Sequence, residues 1–288
     1  MTIRNILVPV AGAKSDQSTL ETALLVARLF DGHFDALHVR LSALRQMPIP
    51  DESMSGQHVQ KMLTHLGEEI EGRAKTARGQ FDTFVKSNKV KLCEEPPAAE
   101  SPSASWCDIT GVEAEEVAQR GGAYDLIVGD LALARSRTAS REAIESGLFS
   151  TGRPVLLAPP VTPESIGGTI LLGWNRTAQS ARTVLSAMPI LEQAKRVVVL
   201  MVATGAKEGP SPQDVARTLA WHDIETEVKE IAPDGRSVGH VLLDEAKEVE
   251  ADLLVMGAYS HSRLREMILG GVTKYVIDHA ELPVFLAH

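Results

Sequence analysis

Asp252 to Lys274 reads DLLVMGAYSHSRLREMILGGVTK, and the reading of this stretch decides the fold. Its first residues form a short apolar run with an acidic start, long enough for a buried strand and too short for a helix, so a strand is expected over 252–256. Gly257 closes it. A polar turn, Ala258–Ser262, leads into an amphipathic segment carrying Leu264, Met267, Ile268 and Leu269, and the pair Gly270-Gly271 opens Val272-Thr273-Lys274. Two glycine-containing turns thus flank one piece of helix. Backbone N–H groups at such turns, and at the helix start after Gly271, point outward with partial positive charge and make an anion site at low cost. Phosphate is the natural candidate.

Outward from this stretch the chain repeats itself. Ala251–Gly257 (ADLLVMG) mirrors Tyr124–Gly129 (YDLIVG), and Leu282–Ala287 (LPVFLA) mirrors Arg153–Ala158 (RPVLLA) at nearly the same distance. Upstream, Ile3–Val10 reads as a strand, followed by a turn with Gly12 and the capping-box-like Ser18-Thr19-Leu20-Glu21. A helix then runs to about Phe30 and a strand over Phe34–Val39. The second half answers with a strand at Thr169–Trp174, a helix at about Ala178–Glu192 and a strand at Arg196–Val202. Strands of this kind, nearly continuously apolar and alternating with helices, imply an α/β fold with parallel sheets covered on both faces. The expected domains are 1–160 and 168–288, joined near the Pro- and Gly-containing Pro159–Gly168.

The halves differ after their second strands. In the first, Gly56–Ser87 carries a helical stripe from Val59 through Met62, Leu63, Leu66 and Ile70 to Phe81 and Phe84. It reads either as a helix packed on the sheet or as part of a partner-binding groove. The Pro/Ala/Ser-rich Glu95–Ser105 follows, then a strand at Ser105–Ile109 and a capping box, Thr110-Gly111-Val112-Glu113, opening a helix that ends near Gly121. The second half has a helix at Pro210–Trp221, a strand at Ile224–Ile231 and a helix at Ser237–Glu250.

Composition narrows the function. The chain has 288 residues, 44% of them hydrophobic, a net charge of −9 and a pI near 5.5, which suits two buried cores and argues against nucleic-acid and anionic-membrane surfaces. Met1-Thr2-Ile3-Arg4 runs straight into an apolar strand, with no secretory leader and no apolar run of the roughly 18 residues a membrane span needs. A cytoplasmic protein is expected. Cys93 and Cys107 stand in no zinc or CxxC spacing, and His58 and His65 would need outside ligands to hold a metal. Gly12-Ala13-Lys14-Ser15 lacks the adjacent Gly-Lys and upstream Gly of a phosphate-cradling P-loop. No nucleophile elbow or HExxH pattern occurs.

The glycine stretch resembles the signature of the universal stress proteins. In that family a Gly ends the fourth strand, a second Gly follows after two residues, and a Gly with a Ser or Thr follows after nine more. Here Gly257 takes the first position, Ser260 stands at the second and Gly270 at the third. Gly271 replaces the hydroxyl residue, with Thr273 able to supply a hydroxyl from the following turn. The resemblance implies two tandem five-stranded doubly wound parallel sheets of strand order 3-2-1-4-5, related by a pseudo-twofold axis. Terminal edges that pair between subunits in the family would pair within this chain as an intramolecular pseudo-dimer, and a homodimer of such chains is compatible with it.

The resemblance further implies an adenine nucleotide, ATP or a relative, with or without Mg2+, at the switch point between strands one and four. The base would lie near Gly173, Trp174, Asn175, Val202 and Met256. Gly257, Tyr259, Ser260, Gly270, Gly271, Val272 and Thr273 would hold ribose and phosphates, with Arg263 in the turn facing phosphate or solvent. Asn175 takes the place of the usual Asp and keeps hydrogen-bonding capacity without its charge. Trp174 is either core or a base-stacking ring. In the first half Ala11 takes the Asp position, and after Gly129 the chain carries Asp130 and no glycine until Gly147, so that half is expected to have lost the site. The expected function is a stress-response sensor or regulator with no catalytic residues, at most a weak ATPase. Its rival is a nucleotide-free module that binds protein partners.

Overall fold

The computed structural model describes residues 2–42, 56–96, 102–136, 139–205, 208–258 and 271–288. In the first half the order is β1 (Asn5–Pro9), α1 (Asp16–Phe30), β2 (His33–Arg40), α2 (Gly56–Asn88), β3 (Lys91–Leu92), β4 (Ser103–Thr110), α3 (Glu113–Gly121), β5 (Leu126–Asp130), α4 (Leu131–Arg135), α5 (Ala139–Ser150) and β6 (Val155–Ala158). The second half runs β7 (Thr169–Gly173), α6 (Ala178–Leu191), β8 (Arg196–Val202), α7 (Pro212–Ala220), β9 (Thr226–Ile231), α8 (Val238–Glu248), β10 (Leu253–Gly257), α9 (Gly271–His279) and β11 (Val284–Ala287).

All strands lie in one 11-stranded sheet, ordered β3-β4-β2-β1-β5-β6-β11-β10-β7-β8-β9. With the two-residue β3 at the outer edge set aside, the five strands of each half stand in the order 3-2-1-4-5, as the resemblance implies. The halves meet where β6 and β11 pair antiparallel through Leu157↔Val284, Leu156↔Phe285 and Val155↔Leu286. Two expected sheets are therefore one. The strand ends that would be open edges in separate domains satisfy each other's backbone groups.

Alternation along the strands explains the layers. One face of the sheet carries Ile6, Val8, Leu156, Ile170, Leu172, Val255 and Phe285 under α1, α2, α6 and α7; the other carries Leu7, Ile127, Leu157, Leu171, Leu254 and Leu286 under the remaining helices. Both apolar layers run unbroken across the junction. Among the described residues no helix is long and apolar enough to cross a membrane.

The repeated acidic strand start has a structural cause. Asp125 accepts from the backbone N–H groups of Arg4 and Asn5 at 2.8 and 3.0 Å, and Asp252 accepts from those of Gly168 and Thr169, both at 3.0 Å. Each carboxylate ties the start of its fourth strand to the start of its first. Strand pairing also corrects the internal alignment by one residue. Gly129 stands opposite Leu157 and Asp130 opposite Ala158, whereas Met256 stands opposite Leu286 and Gly257 opposite Ala287. The counterpart of Gly257 is thus Asp130, not Gly129.

Three local expectations are also corrected. Helix α1 starts at Asp16, ahead of the proposed Ser18–Glu21 box, because the Asp16 carboxylate itself takes the loop N–H groups; Ser18 instead donates to the Pro159 carbonyl at 2.6 Å. Helix α3 has Val112 at its N-cap with no side-chain cap, and Glu113 accepts from Ser140 Oγ at 3.1 Å rather than closing a box with Thr110. The third strand is longer than 105–109, and the two-residue β3 adds to its outer edge through Lys91↔Ser103 and Leu92↔Ala104. Part of the Pro/Ala/Ser-rich stretch, 97–101, lies outside the described residues. In α2 the stripe divides. Ala74, Ala77, Phe81, Phe84 and Val85 are buried on the sheet, whereas the turns before Arg73 contribute no buried residue.

Candidate functional site

Three strand ends converge in the second half. Gly173 stands opposite Met256 of β10 on one side and Leu200 of β8 on the other, so the residues after β7 and β10 share the carboxyl-end crevice in which doubly wound sheets hold ligands. The chain leaves β10 at this end and returns to the amino end of β11 through α9, which puts Gly271 on the crevice side.

The loop after β7 is built by its own hydrogen bonds. Trp174 is 5% exposed and donates from its ring N–H to the Pro210 carbonyl at 2.9 Å, so it belongs to the core rather than to a stacking platform. Asn175 is exposed, and its Oδ1 accepts from Thr177 N–H at 3.3 Å and Thr177 Oγ–H at 2.6 Å. Thr177 in turn caps α6 by accepting from Ser180 N–H at 3.3 Å. Between them Arg176 adopts φ 64°, a left-handed conformation that costs a residue with a side chain roughly 1–2 kcal/mol. Its guanidinium folds back on the Gly209 carbonyl at 3.0 Å and the Met201 sulfur at 3.3 Å. Arg176 and Gly209 are site-forming residues that sequence reasoning missed. No local pattern announces a left-handed arginine, although Gly12, its counterpart in the first half, has φ 78° and was legible as a turn.

Gly257 is required by packing. A Cβ there would lie 3.0 Å from Ser180 N and 3.2 Å from the Gln179 carbonyl carbon, both backbone atoms at the start of α6. Gly271 is the opposite case, since among the described residues a Cβ there would meet nothing within 4 Å. Val202, Met256 and Thr273 are 9%, 4% and 3% exposed, so the strands and α9 keep these three largely from a ligand, while Gly173, Asn175, Gly257, Gly271 and Val272 present surface. Tyr259, Ser260, Arg263 and Gly270 lie outside the described residues, as does His261.

The equivalent end of the first half is acidic. Asp16 fills the concave turn after β1, accepting from the N–H groups of Ala11, Gly12 and Ala13 at 3.3, 2.7 and 3.2 Å. Burial raises its carboxyl to about 6 against the opposing pull of these three donors, and the neighbouring Asp130 charge adds to the rise. Asp130 is 5% exposed; its Oδ1 accepts from Ala132 N–H and Leu133 N–H, and its buried Oδ2 has no hydrogen-bond partner among the described residues. Among the described residues no group of three or more His, Cys, Asp or Glu side chains is placed to hold a metal ion.

This gives a pH prediction. The folded pKa of Asp16 lies above its unfolded value of 3.8, so the native state holds that proton more tightly and stability falls as pH rises from about 4 to about 6. Asp16→Asn keeps an oxygen acceptor for the turn and cannot ionise. Urea unfolding at pH 4.5 and 7 is expected to show the variant gaining on wild type by about 1–3 kcal/mol across the interval. An unchanged difference would contradict the buried, destabilised carboxylate.

Residues 170–288 match the model of the universal stress protein family. The sequence matches none of the curated proteins. Among solved structures, the whole chain is similar to a universal stress protein from Archaeoglobus fulgidus DSM 4304, with 14% identity, 98% of this chain and 97% of that chain covered and a TM-score of 0.68. It is also similar to a functionally unknown protein from Pseudomonas aeruginosa PAO1, with 17% identity, 99% and 92% covered and a TM-score of 0.56. At these identities the structures speak for the fold alone. The family model thus identifies a universal stress protein domain in the second half, and over its full length the chain has a fold similar to that of a solved universal stress protein.

Proposed function

We propose that the second half, residues 168–288, binds ATP or a related adenine nucleotide and that the chain acts as a sensor or regulator in a stress response. The first half, residues 1–160, serves as a degenerate copy without nucleotide. The observation that carries this reading is the convergence of Gly173 and Asn175 with Met256 and Gly257 at the switch point, with the helix that starts at Gly271 opening on the same side. In this pose the Asn175 oxygen is committed to Thr177, which leaves the amide nitrogen as the donor for a base. Phosphates would lie against the N–H groups at the start of α9. In the first half the Asp16 carboxylate occupies the N–H groups of the turn after β1, the counterpart of the turn at 175–177, and Asp130 stands in the place of Gly257, so a phosphate approaching that end would meet two carboxylates.

A second reading, a nucleotide-free interaction module of the same fold, is favoured by the burial of Trp174 and Thr273, two groups expected to touch the ligand. The two readings separate when freshly purified chain is denatured and its supernatant assayed for nucleotide. Gly271→Val sharpens the test. With nothing among the described residues within 4 Å of that Cβ position, its effect on stability is expected to stay within about 0.5 kcal/mol. The side chain would stand where phosphates approach, and released nucleotide should fall at least tenfold. Equal release from both proteins would move the site away from α9.

A further inference from the structure

In the first half the residues that follow β5 are directed at the second half. Asp130 caps α4 through Ala132 N–H at 2.7 Å and Leu133 N–H at 3.2 Å, and Leu131 and Ala134 are buried, so this single turn is held firmly at the strand end. Arg135, its last residue, then crosses the junction. Its Nε donates to the Ile277 carbonyl at 2.9 Å and its Nη2 to the Ala280 carbonyl at 2.5 Å. These oxygens close the C-terminal end of α9, where carbonyls lack helical partners and the dipole is negative. The antiparallel β6–β11 pairing makes the contact, because it sets the carboxyl ends of first-half strands beside the amino ends of second-half strands.

Helix α9 has nine residues, so its two ends are only about 12 Å apart. A helix this short has little stability of its own and takes its position from what packs on it. On one side α8 holds it closely: a Cβ on Gly239 would come within 2.9 Å of the Tyr275 ring and its Cβ. At its C-terminal end Arg135 holds it. We propose that Arg135 is a positioning residue for the phosphate-binding turn at Gly271–Thr273, by which the first half sets the nucleotide affinity of the second. The proposal rests on the nucleotide reading above. Linkage makes it reciprocal, so nucleotide bound at the first turn of α9 tightens the last turn against Arg135.

The test uses the full chain as wild type, Arg135→Ala and Arg135→Lys, with ATP titrated by calorimetry and amide hydrogen exchange followed along α9 and along β6 and β11. Arg135→Ala should weaken ATP binding about fivefold or more, the lower end of site-to-site couplings, with Arg135→Lys in between. Exchange should accelerate at Tyr275 and Val276 while the amides of Leu156 and Phe285 stay protected. ATP binding within twofold of wild type in Arg135→Ala would overturn the proposal. So would acceleration that is equal in α9 and in the junction strands, because that marks a loosened interface rather than a positioned helix. Should wild type itself bind no ATP, the nucleotide reading fails separately. The α9 exchange then decides the brace: selective acceleration in Arg135→Ala supports it, and no change overturns it.

Discussion

Phe285→Ala will destabilise the whole chain by about 3–5 kcal/mol, and both halves will lose their structure in one transition. Phe285 is fully buried and lies opposite Leu156, in the middle of the three-residue pairing that joins the halves. Its ring belongs to an apolar layer that contains residues of α1 and α2 from one half and of α6 and α7 from the other. The cavity left by truncation would open at the seam between the halves, inside a close-packed layer that relaxes only partly to fill it. Trp106 on β4 and Trp174 after β7, each kept in turn as the sole tryptophan with the other two replaced by Phe, report on the two halves by fluorescence. Coincident midpoints, both shifted, are the expected result. Two separated transitions, with Trp106 unmoved, would mean that the halves fold as independent units in spite of the shared sheet.

Gly257→Ala is expected to cost about 1–3 kcal/mol, and Gly257→Val more, as overpacking against an unyielding neighbour does. The conflict is with backbone: the added carbon would stand 3.0 Å from Ser180 N and 3.3 Å from Ser180 Cα, at the first turn of a helix fixed by its Thr177 cap. Backbone φ is not the cause, since Gly257 is not among the residues with positive φ. Thermal unfolding of Gly257→Ala beside Gly271→Val checks the contrast directly. The first should lower the midpoint clearly and the second hardly at all. A neutral Gly257→Ala would show that α6 can retreat and that the glycine is kept for a ligand's approach. The same contrast shows why lost nucleotide binding in a Gly257 variant would be ambiguous, whereas in Gly271→Val it would not.

Much of the fold was legible because parallel, doubly covered strands write themselves as apolar runs. Arg196–Val202 needed no correction, and the repeated Asp before LIVG and LLVM and Pro before VLLA and VFLA placed the fourth and fifth strands of each half. What the runs do not encode is register against a neighbour. Gly129 and Gly257 look equivalent in the string, yet pairing makes Asp130 the counterpart of Gly257, because β5 and β10 are matched by what stands opposite them rather than by their glycines. The helix starts were misread for a related reason. Ser18 and Thr110 have the right neighbours for caps, but the open N–H groups after β1 were taken by Asp16, and the Glu113 carboxylate was taken by Ser140.

The candidate site was legible in outline and not in contacts. Trp174 next to Asn175 gives no hint in sequence that the indole N–H is consumed by Pro210, thirty-six positions on. The left-handed Arg176 and its bond to Gly209 depend on a loop that reaches back from β8, and such contacts have no periodicity to betray them.

The proposed adenine-nucleotide site lies at the ends of β7 and β10 in the second half. Calorimetric titration of ATP into full-length chain stripped of bound nucleotide tests it. Saturable binding of one ligand class is expected, weakened at least tenfold by Gly271→Val and unchanged by Asp16→Asn in the other half. Absence of saturable heat up to millimolar ATP would contradict it and leave the nucleotide-free interaction module as the reading of this fold.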